Sequence, residues 1–304
     1  METEKSVLAL GFFDGVHLGH GALLRTCREM ADRLGAHAGV VTFADHPDTL
    51  VFGKTPELLN TKQDKVTLMK SLYGMESVVF LPFDREMMKM PWQDFFRMLR
   101  REYRAAGLVC GEDFRFGDRG AGSAELLRQA CGEQGMECAV IPRQRLYGTV
   151  ISSTYIRELL KNGEMDTACR FLGHPHLLTG QVVPGRQIGR TIGIPTANVQ
   201  PDEPVLELRH GVYACKAVTP DGEYPAVVNV GNRPTVGGKH VTVEAWLAGF
   251  SGDLYGKTLS LYFYRFLRPE QKFESLDALR AEVQKNAEEC KKILQTLDQK
   301  TEMC

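Results

Sequence analysis

Two histidines, His17 and His20, stand three residues apart in the glycine-framed run Gly11-Phe12-Phe13-Asp14-Gly15-Val16-His17-Leu18-Gly19-His20. At a helix start, that spacing lets one turn aim both imidazoles at one point. Glycines allow a turn to approach a ligand closely, and the free amides of a helix start favour anions. Two imidazole donors beside such amides suit a polyphosphate whose charge grows during group transfer. An isolated pair at this spacing is as readily two surface or core histidines; the glycine frame favours the chemical reading. A second constellation is Ser153, Thr154 and Arg157 in Ile151-Ser152-Ser153-Thr154-Tyr155-Ile156-Arg157. Serines and threonines are ordinary helix caps. An arginine one turn further in makes the set a phosphate clamp.

Three pieces of the second half also carry chemistry. Gly185-Arg186-Gln187-Ile188-Gly189-Arg190-Thr191-Ile192-Gly193-Ile194-Pro195-Thr196-Ala197-Asn198 has glycines and arginines at a spacing that suits a phosphate-enclosing loop, without the lysine of a Walker sequence. Thr196 and Asn198, two apart on an extended strand, share one side. Their oxygens suit Mg²⁺, which takes substrate phosphates and waters as further ligands. Read alone, the same stretch is equally a glycine-rich turn and a capped strand. In Val241-Thr242-Val243-Glu244-Ala245-Trp246-Leu247, alternation puts the aliphatic residues on one face and Thr242, Glu244 and Trp246 on the other. A strand carboxylate is usually just solvated, but at a barrel mouth it can serve as general base for a hydroxyl. Asn229-Val230-Gly231-Asn232-Arg233-Pro234-Thr235 is a turn placed to shape a nucleotide pocket.

The elements that must position these groups alternate in the first half. Apolar strands are expected at Ser6 to Leu10, Ala38 to Phe43, Ser77 to Phe83, Gly107 to Cys110 and Glu137 to Ile141, with helical patterns between them. Such alternation predicts a parallel sheet covered on both faces, with ligands beyond the carboxyl ends of its strands. The turns after Leu10, Phe43 and Cys110 then converge on one site. After the short helix Met165 to Leu172, strand-length segments follow without intervening helices, predicting an antiparallel sheet or small barrel. A closing helix is expected over Ser275 to Leu297. The boundary is placed near residue 174, giving domains 1–173 and 174–304.

Composition narrows the function classes. A formal net charge of −1 and a pI near 6.7 give no electrostatic footprint for nucleic acid or a membrane surface. No apolar stretch approaches the roughly 20 residues of a membrane helix. The charged Met1-Glu2-Thr3-Glu4-Lys5 is not followed by a signal region. Eight cysteines without a CxxC pair fit a reducing cytoplasm. The expected partners are small molecules, and the expected state is a monomer or weak homo-oligomer.

The run ending in His17-Leu18-Gly19-His20 resembles the HxGH signature of the nucleotidylyltransferases, in the form found in bacterial bifunctional riboflavin kinase/FAD synthetases. Ser152 to Arg157 resembles that family's SSTxIR motif, and Thr42-Phe43-Ala44-Asp45-His46-Pro47 its TFxPHP loop. Gly111-Glu112-Asp113-Phe114-Arg115-Phe116-Gly117 is similar to its GEDFRFG/GENFTFG loop. Gly185 to Asn198, the Asn229 turn, the Glu244 strand, Asp253-Leu254-Tyr255-Gly256-Lys257 and Phe266-Leu267-Arg268-Pro269-Glu270 resemble the riboflavin kinase module. The resemblance runs from about Ser6 to Ala287.

The resemblance implies a Rossmann-like nucleotidylyltransferase domain followed by a riboflavin-kinase-type antiparallel β-barrel with a closing helix. In the first domain, His17, His20 and Arg157 would be catalytic and Gly11, Phe13, Asp14, Gly15, Gly19, Ser153 and Thr154 would bind ATP. Phe43, His46, Pro47, Asp113 and Phe114 would bind the flavin. In the second, Gly185, Arg186, Gly189, Gly193, Pro195, Thr196 and Asn198 would bind ATP, the last holding Mg²⁺ together with Thr196. Glu244 would be the general base, and Arg268, Glu270 and Phe273 would bind the flavin. The implied reactions phosphorylate riboflavin to FMN and adenylylate FMN to FAD, using ATP. Departures from the pattern are Asp45 for proline, Trp246 for histidine, Gly249 for aspartate and Asn286 near a frequent aspartate. Alternatives are an enzyme with a single active module and a flavin carrier.

Overall fold

The computed structural model describes residues 5–53, 56–185, 189, 193–235 and 238–302; Arg186 lies outside them. The first half runs β1 (Ser6–Leu10), α1 (Leu18–Leu34), β2 (His37–Phe43), α2 (Pro47–Phe52), α3 (Lys62–Tyr73), β3 (Ser77–Leu81), α4 (Arg85–Lys89), α5 (Trp92–Arg101) and β4 (Ala105–Gly111). It continues through the short pair β5 (Arg115–Phe116) and β6 (Gly122–Ser123), α6 (Ala124–Glu133) and β7 (Glu137–Ile141). A second short pair follows, β8 (Arg145–Leu146) and β9 (Thr149–Val150), and then α7 (Ser153–Asn162) and α8 (Met165–Leu172).

The main sheet has the order β3-β2-β1-β4-β7, with every neighbouring pair parallel. β1 is buried at all five positions, the signature of a strand covered on both faces. The chain leaves β1 toward β2 on one side and returns on the other as β4. The crevice of such a sheet opens at that reversal, beyond the carboxyl end of β1. The histidine turn begins there. α1 buries Leu23, Leu24, Cys27, Met30 and Ala31 and stops at Gly35, whose φ of 59° provides a left-handed cap.

The second half is a closed barrel of β10 (His176–Val183), β11 (Ala197–Gln200), β12 (Gly211–Thr219), β13 (Gly222–Thr235), β14 (Gly238–Leu247) and β15 (Thr258–Arg268), in the order β10-β11-β14-β13-β12-β15. Closure leaves no strand edge unpaired, which explains how short, alternating strands form an independent core. The closing helix α9 spans Leu276–Glu302. Ala287 on α9 packs with Val212 and Val227, and the Cys290 thiol donates to the Cys215 carbonyl at 3.3 Å.

Packing divides the chain into two compact units, Met1–Glu57 with Lys65–Ser153, and Leu58–Asp64 with Thr154–Cys304. The sequence pattern places the change of architecture near residue 174, and β10 starts at His176. The barrel unit also takes in earlier chain, because local hydrogen bonds tie that chain to it. Cys169 on α8 donates to the Phe263 carbonyl at 3.4 Å, and Asn60 donates to the Leu177 carbonyl at 2.8 Å.

His176 is 2% exposed, and its Nδ1 has no partner among the described residues. Burial, reinforced by His174, pushes its pKa down to about 3. The unfolded histidine, near 6.5, therefore binds a proton that the folded one refuses. Below pH 6.5 the barrel should lose stability at a slope approaching about 1.4 kcal/mol per pH unit. The expected result is a falling unfolding midpoint between pH 7 and 4.5, with a flatter slope in His176→Phe. Equal slopes in the two proteins would remove His176 as the cause.

Candidate active sites

The turn after β1 is held in an uncommon backbone shape. Phe13, Gly15 and Val16 have φ of 55°, 83° and 43°, and Phe13 and Val16 are fully buried. Left-handed backbone at a β-branched residue costs on the order of 1–3 kcal/mol, and such strain concentrates at functional sites. The surroundings over-determine it. The Phe12 carbonyl accepts from the Thr42 hydroxyl at 3.1 Å and from the Lys65 ammonium at 3.2 Å. The Asp14 carbonyl accepts from the Ser153 hydroxyl at 2.9 Å.

This turn sets up the histidines. His17 caps α1, its Nδ1 accepting from the His20 amide at 3.2 Å. That bond requires a lone pair on Nδ1, so the proton of the neutral ring sits on Nε2. The two imidazoles stack with centroids 3.6 Å apart at 11°. Gly19 makes room, since a Cβ there would stand 3.1 Å from His17 Cε1. His20 Nδ1 is buried and has no partner among the described residues. Burial, then His17 and Lys65, holds the His20 pKa well below the ordinary value. His20 is therefore neutral at pH 7. Gly11, Asp14 and Gly15 belong to the same turn.

Of the neighbouring loops, the one after β2 meets Phe12. The His46 ring lies edge-on to the Phe12 ring at 4.5 Å, while its Nδ1 caps α2 by accepting from the Asp48 amide at 3.2 Å. Pro47 is the first residue of α2, and Phe43 ends β2 against Phe83. Asp113 is exposed and paired with Arg143 at 3.1 Å, and Phe114 stacks on Phe116. Thr154 lies on the first turn of α7 and is exposed, and Arg157, one turn further in, is half-buried. Lys65 is the site neighbour that sequence reasoning missed. A lysine in the first turn of an amphipathic helix reads as solvated, and only its 1% exposure says otherwise.

In the barrel, register assembles the other site. Glu244 on β14 lies directly opposite Asn198 on β11 and, on its other side, Asn229 on β13. Side chains so paired share a face, with Cβ atoms about 5 Å apart. Two residues further along the strand, Trp246 packs with Val212, Val227 and Ala287. Glu244 thus projects from the outer, helix-bearing face of the barrel, opposite Val243 and Ala245 in the core. Gly185 approaches Asn198 so closely that a Cβ would fall 2.1 Å from its Nδ2. The Ile194 amide closes a turn onto the Gly189 carbonyl at 2.8 Å, and Gly193 has a φ of 72°. A pocket of about 380 Å³ lies between Pro195, Thr196, Leu247 and the loop 250–255.

Of the expected flavin residues of the barrel, Arg268 and Phe273 meet, and Glu270 pairs with Asn229. Asn229 donates to Glu270 at 3.2 Å, and the Arg268 guanidinium lies 5.6 Å from the Phe273 ring centroid. Arg268 donates to Asn286 Oδ1 at 3.1 Å, so the asparagine at this departure from the pattern still anchors the arginine.

Comparison with known proteins separates the two halves in the same way. Residues 1–155 match the family model for FAD synthetase, and residues 172–294 match that for riboflavin kinase. A Bacillus subtilis bifunctional riboflavin kinase/FMN adenylyltransferase is 32% identical over 295 residues, covering 95% of this chain and 92% of the relative. One from Escherichia coli K12 is 35% identical over 283 residues, covering 92% and 90%. A crystal structure described as a macrolide-efflux protein from Streptococcus pneumoniae has a TM-score of 0.81 at 28% identity, covering 95% and 94%. No helix among the described residues is long and apolar enough to cross a membrane. With its parallel-sheet half matched to FAD synthetase and its barrel to riboflavin kinase, the chain belongs to the bifunctional riboflavin kinase/FMN adenylyltransferase family.

Proposed function

We propose that this bifunctional enzyme divides its two reactions at residues 173 and 174, with Glu244 as general base in the barrel and His17 and His20 as the phosphate-binding pair before it. The observation that carries the reading is the cross-strand row Asn198–Glu244–Asn229, which places an expected metal ligand beside a carboxylate in the riboflavin kinase half. Glu244 takes the proton of the ribityl 5′-hydroxyl as its oxygen attacks the γ-phosphorus of ATP, and ADP leaves. The pocket beside Thr196 has the volume for the nucleoside of ATP. Gly185, Arg186, Gly189, Gly193 and Pro195 enclose the phosphates, and Arg268, Glu270 and Phe273 hold the flavin.

Thr196 and Asn198 offer a hydroxyl and an amide oxygen, a donor set that fits Mg²⁺ with ATP phosphates completing the shell. The approach of Gly185 to Asn198 makes a cradle that any side chain at residue 185 would fill. When bound there, the ion neutralises phosphate charge. Asn198→Ala should raise the Mg²⁺ concentration needed for half-maximal riboflavin phosphorylation by about tenfold, the low end of the range for metal-site changes. Adenylylation of supplied FMN should keep its wild-type Mg²⁺ dependence. An unchanged titration of both activities would rule Asn198 out as a ligand.

In the first half, an FMN phosphate oxygen attacks the α-phosphorus of ATP, the α–β bond breaks and pyrophosphate leaves. The nucleophile is already an anion, so the site needs donors rather than a base. His17, His20 and Arg157 supply them, with Gly11, Phe13, Asp14, Gly15, Gly19, Ser153 and Thr154 shaping the ATP site. Phe43, His46, Pro47, Asp113 and Phe114 bind the flavin. The seven described cysteines are free thiols, which supports a cytoplasmic setting.

A further inference from the structure

Lys65 is buried to 1% exposure in the first turn of α3. Its ammonium donates to the Phe12 carbonyl at 3.2 Å and lies 3.8 Å from the centroid of the Phe12 ring. Neither setting favours a cation on grounds of stability. A helix N-terminus repels positive charge, and burial strips an ammonium of its hydration. The position of the ammonium points to a different use. It backs the one turn whose strained Phe13 and Val16 lead into His17, and it shares its carbonyl acceptor with the Thr42 hydroxyl. The Phe12 ring that it faces also meets the His46 ring.

We propose that Lys65 is a positioning residue for adenylyl transfer, its buried ammonium holding the Phe12 carbonyl and ring so that the Gly11–Val16 turn presents His17 and His20 to the ATP phosphates. The inference rests on the phosphate-binding reading of the two histidines. Lys65 acts through the turn rather than by touching substrate. A misplaced donor pair lowers the rate of the chemical step more than it weakens ground-state binding. The ammonium also adds positive charge near His20, whose ring is faced by His17 from its own helix, by the Phe13 ring at 5.2 Å and by Lys65 from α3.

The test uses the full-length enzyme supplied with FMN, ATP and Mg²⁺. Lys65→Met keeps the volume and removes the donor; Thr42→Val removes the other donor to the same carbonyl. In Lys65→Met, kcat for FAD formation should fall about 10- to 100-fold, the range for misplacement of reacting groups, with KM for ATP and FMN changing less than about 3-fold. The acid limb of its pH profile should move to higher pH, because removing a nearby positive charge lets His20 protonate more readily. Thr42→Val should show a smaller loss of kcat, and the double variant should be non-additive. Riboflavin phosphorylation should be unchanged in all three.

A wild-type kcat in Lys65→Met, or a loss that only tracks the folded fraction, overturns the proposal. So does a raised KM with kcat unchanged, which would make Lys65 a substrate contact. If Lys65→Met does not fold, Thr42→Val decides alone: a wild-type kcat there overturns the proposal. His20→Ala run in parallel separates the two layers. Full activity in His20→Ala removes the histidine reading itself, whereas an inactive His20→Ala beside an unimpaired Lys65→Met removes only the role of Lys65.

Discussion

Glu244→Gln should stop the enzyme at riboflavin. Its rate of FMN formation is expected to fall about 10²- to 10⁴-fold, the range spanned by a lost general base, while supplied FMN is still converted to FAD at the wild-type rate. The substitution is nearly isosteric, and Glu244 is half-buried on the outer face of the barrel, so folding should be retained. Its two cross-strand neighbours, Asn198 and Asn229, carry amides that cannot take over as base. Chromatography of the flavins formed from riboflavin, ATP and Mg²⁺ reads the result directly. If Glu244→Gln makes FMN at the normal rate, the base lies elsewhere. If wild type yields FMN but no FAD, the first half is inactive and the single-activity alternative holds.

The complementary variant is His20→Ala, in which FMN should accumulate from riboflavin and FAD formation should fall about 10²- to 10³-fold, as when a preorganised donor to developing charge is removed. The loss should appear mainly in kcat, because the donor matters most once negative charge has built up on the pyrophosphate leaving group. Stability should change little. His20 loses its stacking on His17, but a buried nitrogen without a partner among the described residues is removed at the same time. Riboflavin phosphorylation should be untouched, since the barrel carries its own site. FAD formation at the normal rate in both His20→Ala and His17→Ala would show that the pair is structural. Tight flavin binding by wild type with no product from any flavin would favour a carrier.

Much of this protein is legible along the chain because the informative signals are local. Ser6 to Leu10 is continuously apolar, which suffices for a strand buried on both faces, and β1 is that strand. The three-residue spacing of His17 and His20 becomes a stacked pair because a helix begins at Leu18, a property of neighbouring residues. The alternation around Glu244 separates core from outer face without knowledge of any partner strand. The switch from strand–helix alternation to successive strands separates a parallel sheet from a barrel, again from period and order alone.

What only the tertiary structure decides is which distant residues share a location. That Glu244 faces Asn198 and Asn229 depends on a register among β11, β14 and β13, and a shift by one residue would send the carboxylate to the opposite face. That Leu58–Asp64 packs with the barrel unit depends on hydrogen bonds such as Asn60 to Leu177, more than a hundred residues away in sequence. Lys65 is the sharpest case. Its sequence neighbours, Gln63, Asp64 and Thr67, are polar and describe a solvated helix start, yet the fold closes over the lysine and sets its ammonium behind the histidine turn. Local periodicity determines which face of an element is apolar; burial of a charge is decided by what the rest of the chain brings to that face.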